Sequence, residues 1–473
     1  MRVAFCSSEV FPFAKTGGLA DVSGALPYAL SKKGCEVKVF MPFYKGINPQ
    51  KNYSEYGFTK QAGVEFFFIR NDEYFMRDYL YGDSCGDYPD NLQRFSFFNK
   101  KIFKLLKKIN FSPQIIHSND WQTALANIYL KLLYKNDKFF KNTKCILTIH
   151  NLAYQGIFER EEFGSLGVPW DYFNMRHLEF YGKINLLKGG IIFSDMVNTV
   201  SPAYVKEIQT PDYGCGLDGV LREKRKYLCG ILNAIDYSVW NPQIDKLIYK
   251  NYSHRTIEDK YVNKRMFQKE LGLKVDKNIF LLGTVSRLVE QKGIDILSRA
   301  LDHFLKKYQV VILGMGDEKY HRILKKKANK FKKSFSLNLK FDEAIAHRVY
   351  ASCDCFLMPS RFEPCGLSQM ISYKYATVPL VYHTGGLVDT VVDISQKGGG
   401  FVFSNYTSAD LISALNRANQ IFTEKKKWLK IIKKIARYNF SWEAAAAKYI
   451  EMYNKTIKEG KSQNSKCKSA IQN

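Results

Sequence analysis

Three stretches combine glycine and charge in a way that could handle phosphate and sugar. In KTGGLADV, residues 15–22, Lys15 precedes two adjacent glycines, Gly17 and Gly18, and then Asp21. Paired glycines let backbone amides approach a ligand, a helix amino end adds positive potential and the lysine adds a full charge, which together suit a phosphate. A near copy, HTGGLVD at residues 383–389, includes Thr384; either string alone fits a plain helix start about as well as a ligand loop. In VSRLVEQKGID, residues 285–295, Arg287 and Lys292 flank a strand-to-helix turn, so both cations can face one mouth. A diphosphate leaving group needs such cations, because negative charge grows on it as a glycosidic or phosphoryl bond breaks. In SRFEPCGLSQ, residues 360–369, Glu363 precedes a glycine that opens a helix. The amides of Gly366, Leu367 and Ser368 are then free for a phosphate, and Glu363 can accept hydrogen bonds from hydroxyls or stabilise a cationic transition state.

His150 closes an apolar run at residues 144–150 and is placed to hydrogen-bond a hydroxyl, although a satisfied core histidine has the same surroundings. Asp120 and Trp121 fit sugar recognition and simple helix capping equally. The scattered histidines and the GMGD string at residues 314–317 offer no cluster with metal-ligand spacing, so no metal and no other cofactor is expected.

The elements that must position these groups are read from alternation. Apolar runs at residues 2–7, 36–41, 61–69, 115–118, 144–150 and 195–201 are interleaved with helix-like segments, and a second series follows at residues 279–286, 309–314, 353–359, 378–382 and 400–403. Such alternation implies two α/β domains with mostly parallel sheets, whose ligands sit beyond the carboxyl ends of the strands, where every stretch named above falls. The boundary lies within residues 234–261, where Trp240-Asn-Pro242 breaks regular structure, giving domains of 1–240 and 241–457. Residues 71–90 form a polar, aromatic loop suited to a lid or an acceptor contact, and residues 458–473 read as a basic disordered tail.

Composition narrows the class. Lysine and arginine number 71 against 45 aspartate and glutamate, a net +26, but the lysines fall in runs interleaved with apolar residues at helical spacing. They read as solvated helix faces, so neither nucleic acid nor a membrane is expected as partner. The 10 cysteines include no Cys-x-x-Cys pair, and Cys6, Cys145 and Cys353 lie in strand-like apolar surroundings, which fits reduced thiols in a cytoplasm. No apolar run reaches the roughly 18 residues that span a bilayer, and the amino terminus leads straight into a strand without a signal segment.

Taken together the strings resemble glycosyltransferase family 5, the bacterial glycogen synthases and plant starch synthases. The resemblance runs from Met1 to about Tyr453 and rests on KTGGLADV at Lys15, DNLQRF at Asp90, HNLAYQG at His150, TVSPAY at Thr199, GCGLDGVL at Gly214, NAIDYSVWNP at Asn233, SRLVEQKGID at Ser286, PSRFEPCGLSQ at Pro359, TGGLVDTV at Thr384 and FSWEAAA at Phe440. It implies a GT-B architecture, two Rossmann-like domains facing a deep cleft, and transfer of glucose from ADP-glucose to the non-reducing end of an α-1,4-glucan with retention of configuration. It assigns donor binding to Lys15, Gly17, Gly18, Asp21, Asn233, Phe341, Cys365, Gly366, Leu367, Ser368 and Thr384. It assigns Arg287 and Lys292 to the diphosphate, His150 and Asp120 to the transferred glucose, Glu363 to the catalytic carboxylate and Tyr81 to the acceptor side. Ala234, Ser368 and Phe341 stand where the family usually has Gly, Thr and Tyr; the phenyl ring of Phe341 still offers the adenine a stacking face, worth about 1–3 kcal/mol per base.

Rival readings are a transferase using UDP-glucose or a small acceptor, a non-catalytic glucan-binding protein, and a dinucleotide dehydrogenase. The last lacks the full glycine fingerprint with its acidic ribose partner.

Overall fold

The computed structural model describes residues 1–83 and 86–469, with side chains through Glu459. Two compact units emerge, Met1–Asn233 together with the segment from Trp442 onward, and Ala234–Ser441.

In the first unit seven parallel strands lie in the spatial order Val64–Ile69, Glu36–Pro42, Arg2–Cys6, Ile115–Asn119, Lys144–Ile149, Met196–Thr199, Leu228–Gly230. The chain starts in the middle of the sheet, works outward to one edge and then crosses to build the other. Val3, Ala4, Phe5 and Cys6 are all fully buried, as expected of a strand covered on both faces. The run expected at residues 61–69 is one arm of a hairpin: Tyr56–Gln61 pairs antiparallel with Val64–Ile69. Ala62 and Gly63 turn it with φ of 45° and 82°, the two left-handed positions of a type I′ turn. Residues 71–90 hold a short helix, Asp72–Phe75, and two short strands, Gly82–Asp83 and Gly86–Asp87.

The second unit has six parallel strands in the order Phe335–Asn338, Gln309–Leu313, Leu281–Val285, Cys355–Met358, Val378–Tyr382, Phe401–Phe403. Counted along the chain this is 3-2-1-4-5-6, the doubly wound order of dinucleotide-binding folds. Five of the six are the expected runs; Phe335–Asn338 is a half-exposed edge strand whose lysine-rich flanks hide it in the sequence.

The division between units falls at Asn233, earlier than the break after residue 240 read from the sequence. Residues 234–261 belong to the second unit because they are bonded into it. Trp240 stacks on His347 at 4.1 Å, and Asp245 accepts from His347 Nδ1 at 2.7 Å and from the Tyr375 hydroxyl at 2.5 Å. The helix Trp442–Ser469 likewise belongs to the first unit, and residues 442–457 were expected in the second. Tyr453 explains it, its buried hydroxyl lying 2.7 Å from His117 Nδ1 under the first sheet. That helix also takes in residues 458–469, read from sequence as a disordered tail; residues 470–473 lie outside the described residues. The lysine runs do lie on helices, as in Lys425–Ile435, which buries Trp428, Ile432 and Ile435 and leaves Lys425, Lys426 and Lys427 exposed.

Candidate active site

In the first unit the loops after Arg2–Cys6 and Ile115–Asn119 part company where the strand order reverses, the position at which open α/β sheets bind ligands. Asn119 Nδ2 donates to the Cys6 carbonyl at 2.9 Å, which fixes its amide orientation and turns Oδ1 toward His150 Nε2, also at 2.9 Å. That pairing assigns the imidazole proton to Nε2. Burial pushes the His150 pKa down to about 3, so the ring is neutral at physiological pH. Its Nδ1 lone pair takes no partner among the described residues and is free to accept from a hydroxyl. Asp120 opens the next helix with φ +54°, a left-handed conformation costly for a residue with a side chain. Its carboxylate accepts from the His150 amide at 2.7 Å. Burial raises the Asp120 pKa to about 7, against the pull of the His150 and Asn151 amides.

The raised value has a signed consequence. The folded protein binds the Asp120 proton more tightly than the unfolded chain, so this group's stabilising contribution is complete below the ordinary carboxyl pKa and is lost as pH climbs through about 7. Asp120→Asn, which cannot ionise yet can still accept from the His150 amide, is expected to melt above the wild type at pH 8. The gap should close toward pH 5, and thermal melts at the two pH values check it.

The glycine turn differs from the phosphate cradle read in the sequence. Glu9, 4% exposed, accepts from Thr16 N and Oγ1, each at 2.6 Å, from Gly17 N at 3.1 Å and from the Tyr81 hydroxyl at 2.8 Å. Lys15 pairs with Asp21 at 2.6 Å, which partly offsets the upward push that burial gives the Asp21 carboxyl. The lysine and the Gly17 amide therefore already have partners in this chain. A methyl group on Gly17 or Gly18 would meet nothing within 4 Å, whereas one on Gly386, in the matching TGGL of the second unit, would lie 2.4 Å from the Cys365 backbone. The repeated motif thus leaves open space beside its glycines in one unit and packs backbone against the second of them in the other. Gly386→Ala is expected to destabilise by about 1–3 kcal/mol through overpacking. Gly17→Ala should cost under about 1 kcal/mol, as a helix-cap change, and act chiefly on the KM for the donor; melts and steady-state rates on both variants separate the two effects.

In the second unit the strands Leu281–Val285 and Cys355–Met358 flank the corresponding reversal. Their loops are locked together: Lys292 Nζ donates to Glu363 Oε2 at 2.6 Å, Arg361 N donates to the Gln291 carbonyl at 2.9 Å, and Arg361 pairs with Glu290 at 3.3 Å. Gly293, φ +73°, lets the Pro359 carbonyl pass where a Cβ would stand 1.9 Å away. Glu363 is 7% exposed, and its Oε2 also accepts from Ser360 Oγ at 3.1 Å, while Oε1 has no hydrogen-bond partner among the described residues. Arg287 is exposed and its guanidinium donates to Gln291 Oε1 at 3.3 Å; it has no carboxylate partner among the described residues. Beside Glu363, Cys365 and Thr384 are buried, Leu367 and Ser368 half-buried, and the helix Ser368–Lys374 starts without a side-chain cap. Phe341 holds its ring 90% exposed between an edge strand and the next helix. Asn233, which ends the first segment of the other unit, has a buried Oδ1 with no hydrogen-bond partner, an acceptor awaiting a donor.

The structure thus gathers Lys15, Gly17, Gly18 and Asp21 on one turn of the first unit, His150 and Asp120 on adjoining loops there, and Arg287, Lys292, Glu363, Cys365, Gly366, Leu367, Ser368 and Thr384 on neighbouring loops of the second. Tyr81 is a brace, its hydroxyl spent on Glu9 and Ser8. Glu9 escaped the sequence reading because an acid ahead of a phosphate-like loop looks repulsive; its place just past the first strand, facing two amides, was the available signal. No group of three His, Cys, Asp or Glu among the described residues could hold a metal ion, and no described helix is long and apolar enough to cross a membrane.

Comparison with known proteins identifies the family. Residues 2–223 match the starch synthase catalytic domain family, and residues 263–435 match the glycosyl transferases group 1 family. A glycogen synthase of Fervidobacterium nodosum is 43% identical, covering 96% of this chain and 99% of its own. One of Thermosipho africanus is 44% identical, covering 97% and 99%. Among solved structures, the catalytic domain of starch synthase IV from Arabidopsis thaliana, bound to ADP and acarbose, superposes with a TM-score of 0.89 at 32% identity, covering 97% of this chain and 99% of that one. The fold is accordingly of GT-B type, and the chain is a glycosyltransferase belonging to the family of bacterial glycogen synthases and plant starch synthases.

Proposed function

We propose that this glycosyltransferase moves glucose from ADP-glucose to the non-reducing end of an α-1,4-glucan, with retention at the anomeric carbon. The observation that carries this reading is the second unit's switch point, where the unpaired cation Arg287 stands beside the Lys292–Glu363 pair. Arg287 is the first anchor for the donor's diphosphate, and Lys292 follows as charge develops on the departing ADP. Glu363, held on Oε2, offers Oε1 to the sugar and stabilises positive charge at the anomeric carbon. In the first unit, neutral His150 accepts from a glucosyl hydroxyl through Nδ1, with Asp120 setting the His150 backbone. Lys15 exchanges Asp21 for the donor, Asn233 Oδ1 gains its missing partner, and the exposed Phe341 ring stacks on adenine. The 4-hydroxyl of the glucan attacks the face that ADP leaves, its proton passing to the departing ADP as the bond between the anomeric carbon and the diphosphate breaks.

The diphosphate charge is met by side chains, so the reaction is read as metal-independent, and excess EDTA is expected to leave the initial rate within twofold. A cytoplasmic location is supported by eight free cysteines among the described residues, six of them buried. The test of the reading is transfer of labelled glucose onto glycogen with ADP-glucose and UDP-glucose compared; ADP-glucose should be strongly preferred, and absence of transfer from either would overturn it.

A further inference from the structure

Parallel strands covered on both faces are apolar as a rule, yet the first unit carries a row of polar side chains inside its sheet. His117, Asn119, Thr148 and Asn198, from three adjacent strands, are each 0–1% exposed. Two contacts of the same slant cross the first pair of strands. His117 Nε2 lies 2.7 Å from Thr148 Oγ1, and Asn119 Oδ1 accepts from His150 Nε2 at 2.9 Å. Each joins residues 31 positions apart, so the second repeats the first two residues further along both strands, on the same face. They are an inner and an outer rung of one ladder, and the outer rung holds His150.

The inner rung is completed from the far end of the chain. Tyr453 brings its hydroxyl 2.7 Å from His117 Nδ1, and Asn198 Nδ2 donates to Thr148 Oγ1 at 3.2 Å. Phe5, Tyr453 and Tyr449 surround the His117 ring, with centroids 4.9, 5.7 and 5.9 Å away. Both nitrogens of that ring therefore meet hydroxyls, each able to donate or to accept. Burial first, and then the proximity of His150, push the His117 pKa down to about 3, so both imidazoles are neutral at physiological pH. The row then transmits position and not charge. A buried polar network adds little net stability over apolar packing; what it supplies is one defined geometry.

We infer that Tyr453 is a positioning residue for His150, acting through the His117–Thr148 rung. The inner rung sets how the two strands lie against each other, and the outer rung carries that setting to the imidazole whose Nδ1 meets the glucosyl hydroxyl. The inference rests on the sugar-binding role given to His150 and adds the side chains that stand behind it. Reacting groups displaced by about 1 Å can cost a hundredfold in rate, so a slip of a few tenths is felt as a fraction of that.

The test is a double-mutant cycle in the full chain, with ADP-glucose and maltotriose as substrates. Tyr453→Phe, which removes one oxygen and keeps the ring, is made alone and together with His150→Ala. Alone it is expected to lower kcat about fivefold to tenfold with both KM values within about twofold. Beside His150→Ala it is expected to cost no further kcat, because its route runs through the missing ring. A role confined to folding lowers the melting temperature in both backgrounds and leaves kcat alone; that result overturns the inference, as does an equal loss of kcat in both backgrounds. A His150→Ala variant with wild-type kcat removes the histidine's role and the inference with it. A second readout needs no turnover. In protein labelled with nitrogen-15 at its 8 histidines, the ring signals that vanish in His150→Ala are expected to shift in Tyr453→Phe, and unmoved signals overturn the inference. If those signals shift while the wild type transfers no glucose, the transferase reading falls and the placing of His150 by Tyr453 stands.

Discussion

Glu363→Gln is expected to lower kcat by two to three orders of magnitude with little change in the KM for glycogen. The side chain is 8% exposed and fixed by Lys292 at 2.6 Å and Ser360 at 3.1 Å, so glutamine inherits its place and shape. What disappears is the negative charge proposed to face the anomeric carbon, and a preorganised charge of this kind is worth about 2.7–4 kcal/mol of barrier. A loss confined to kcat is the mark of an interaction made in the transition state alone. The substitution also leaves Lys292, whose side chain is 20% exposed, without its counter-ion, so some stability is lost too. Melting temperature is therefore measured beside turnover, and near-normal turnover in a well-folded variant would remove the catalytic role.

The second large effect belongs to Arg287. Because its side chain is exposed and has no carboxylate partner among the described residues, Arg287→Ala should leave the melting temperature where it was, yet lower kcat/KM for ADP-glucose by about a hundredfold to a thousandfold. Arg287→Lys should recover only part, since an ammonium cannot match the planar fork that grips a diphosphate on two sides. Affinity for maltotriose measured without donor should be unchanged; an equal loss of both ligands would mean that the diphosphate side has been misassigned.

What could be read from the chain alone follows a physical division. Alternating apolar runs located eleven of the thirteen parallel strands, because strands buried on both faces write their burial into the sequence. The two missed, Leu228–Gly230 and Phe335–Asn338, are short edge strands that are only partly buried. Arg287, Lys292 and Glu363 were legible as a group since each follows a recognisable strand. Glu9 and the brace through Tyr81 were not, because Tyr81 lies 72 positions from Glu9 and only folding brings them together. The same limit hid the destination of the last helix, which is decided by a contact spanning 336 positions, from His117 to Tyr453.

That helix reorders how the molecule must be assembled. Ile235 and Ser441 form a parallel bridge, with Ile235 N donating to the Phe440 carbonyl at 2.9 Å, so the second unit enters and leaves at one spot and is an insertion within the first. A ribosome delivers the insertion whole before it delivers Tyr449 and Tyr453, both fully buried beneath the opening sheet. The half of the protein made first is thus the half completed last, and the surface that Tyr449 and Tyr453 cover stays open until the helix that carries them has been made.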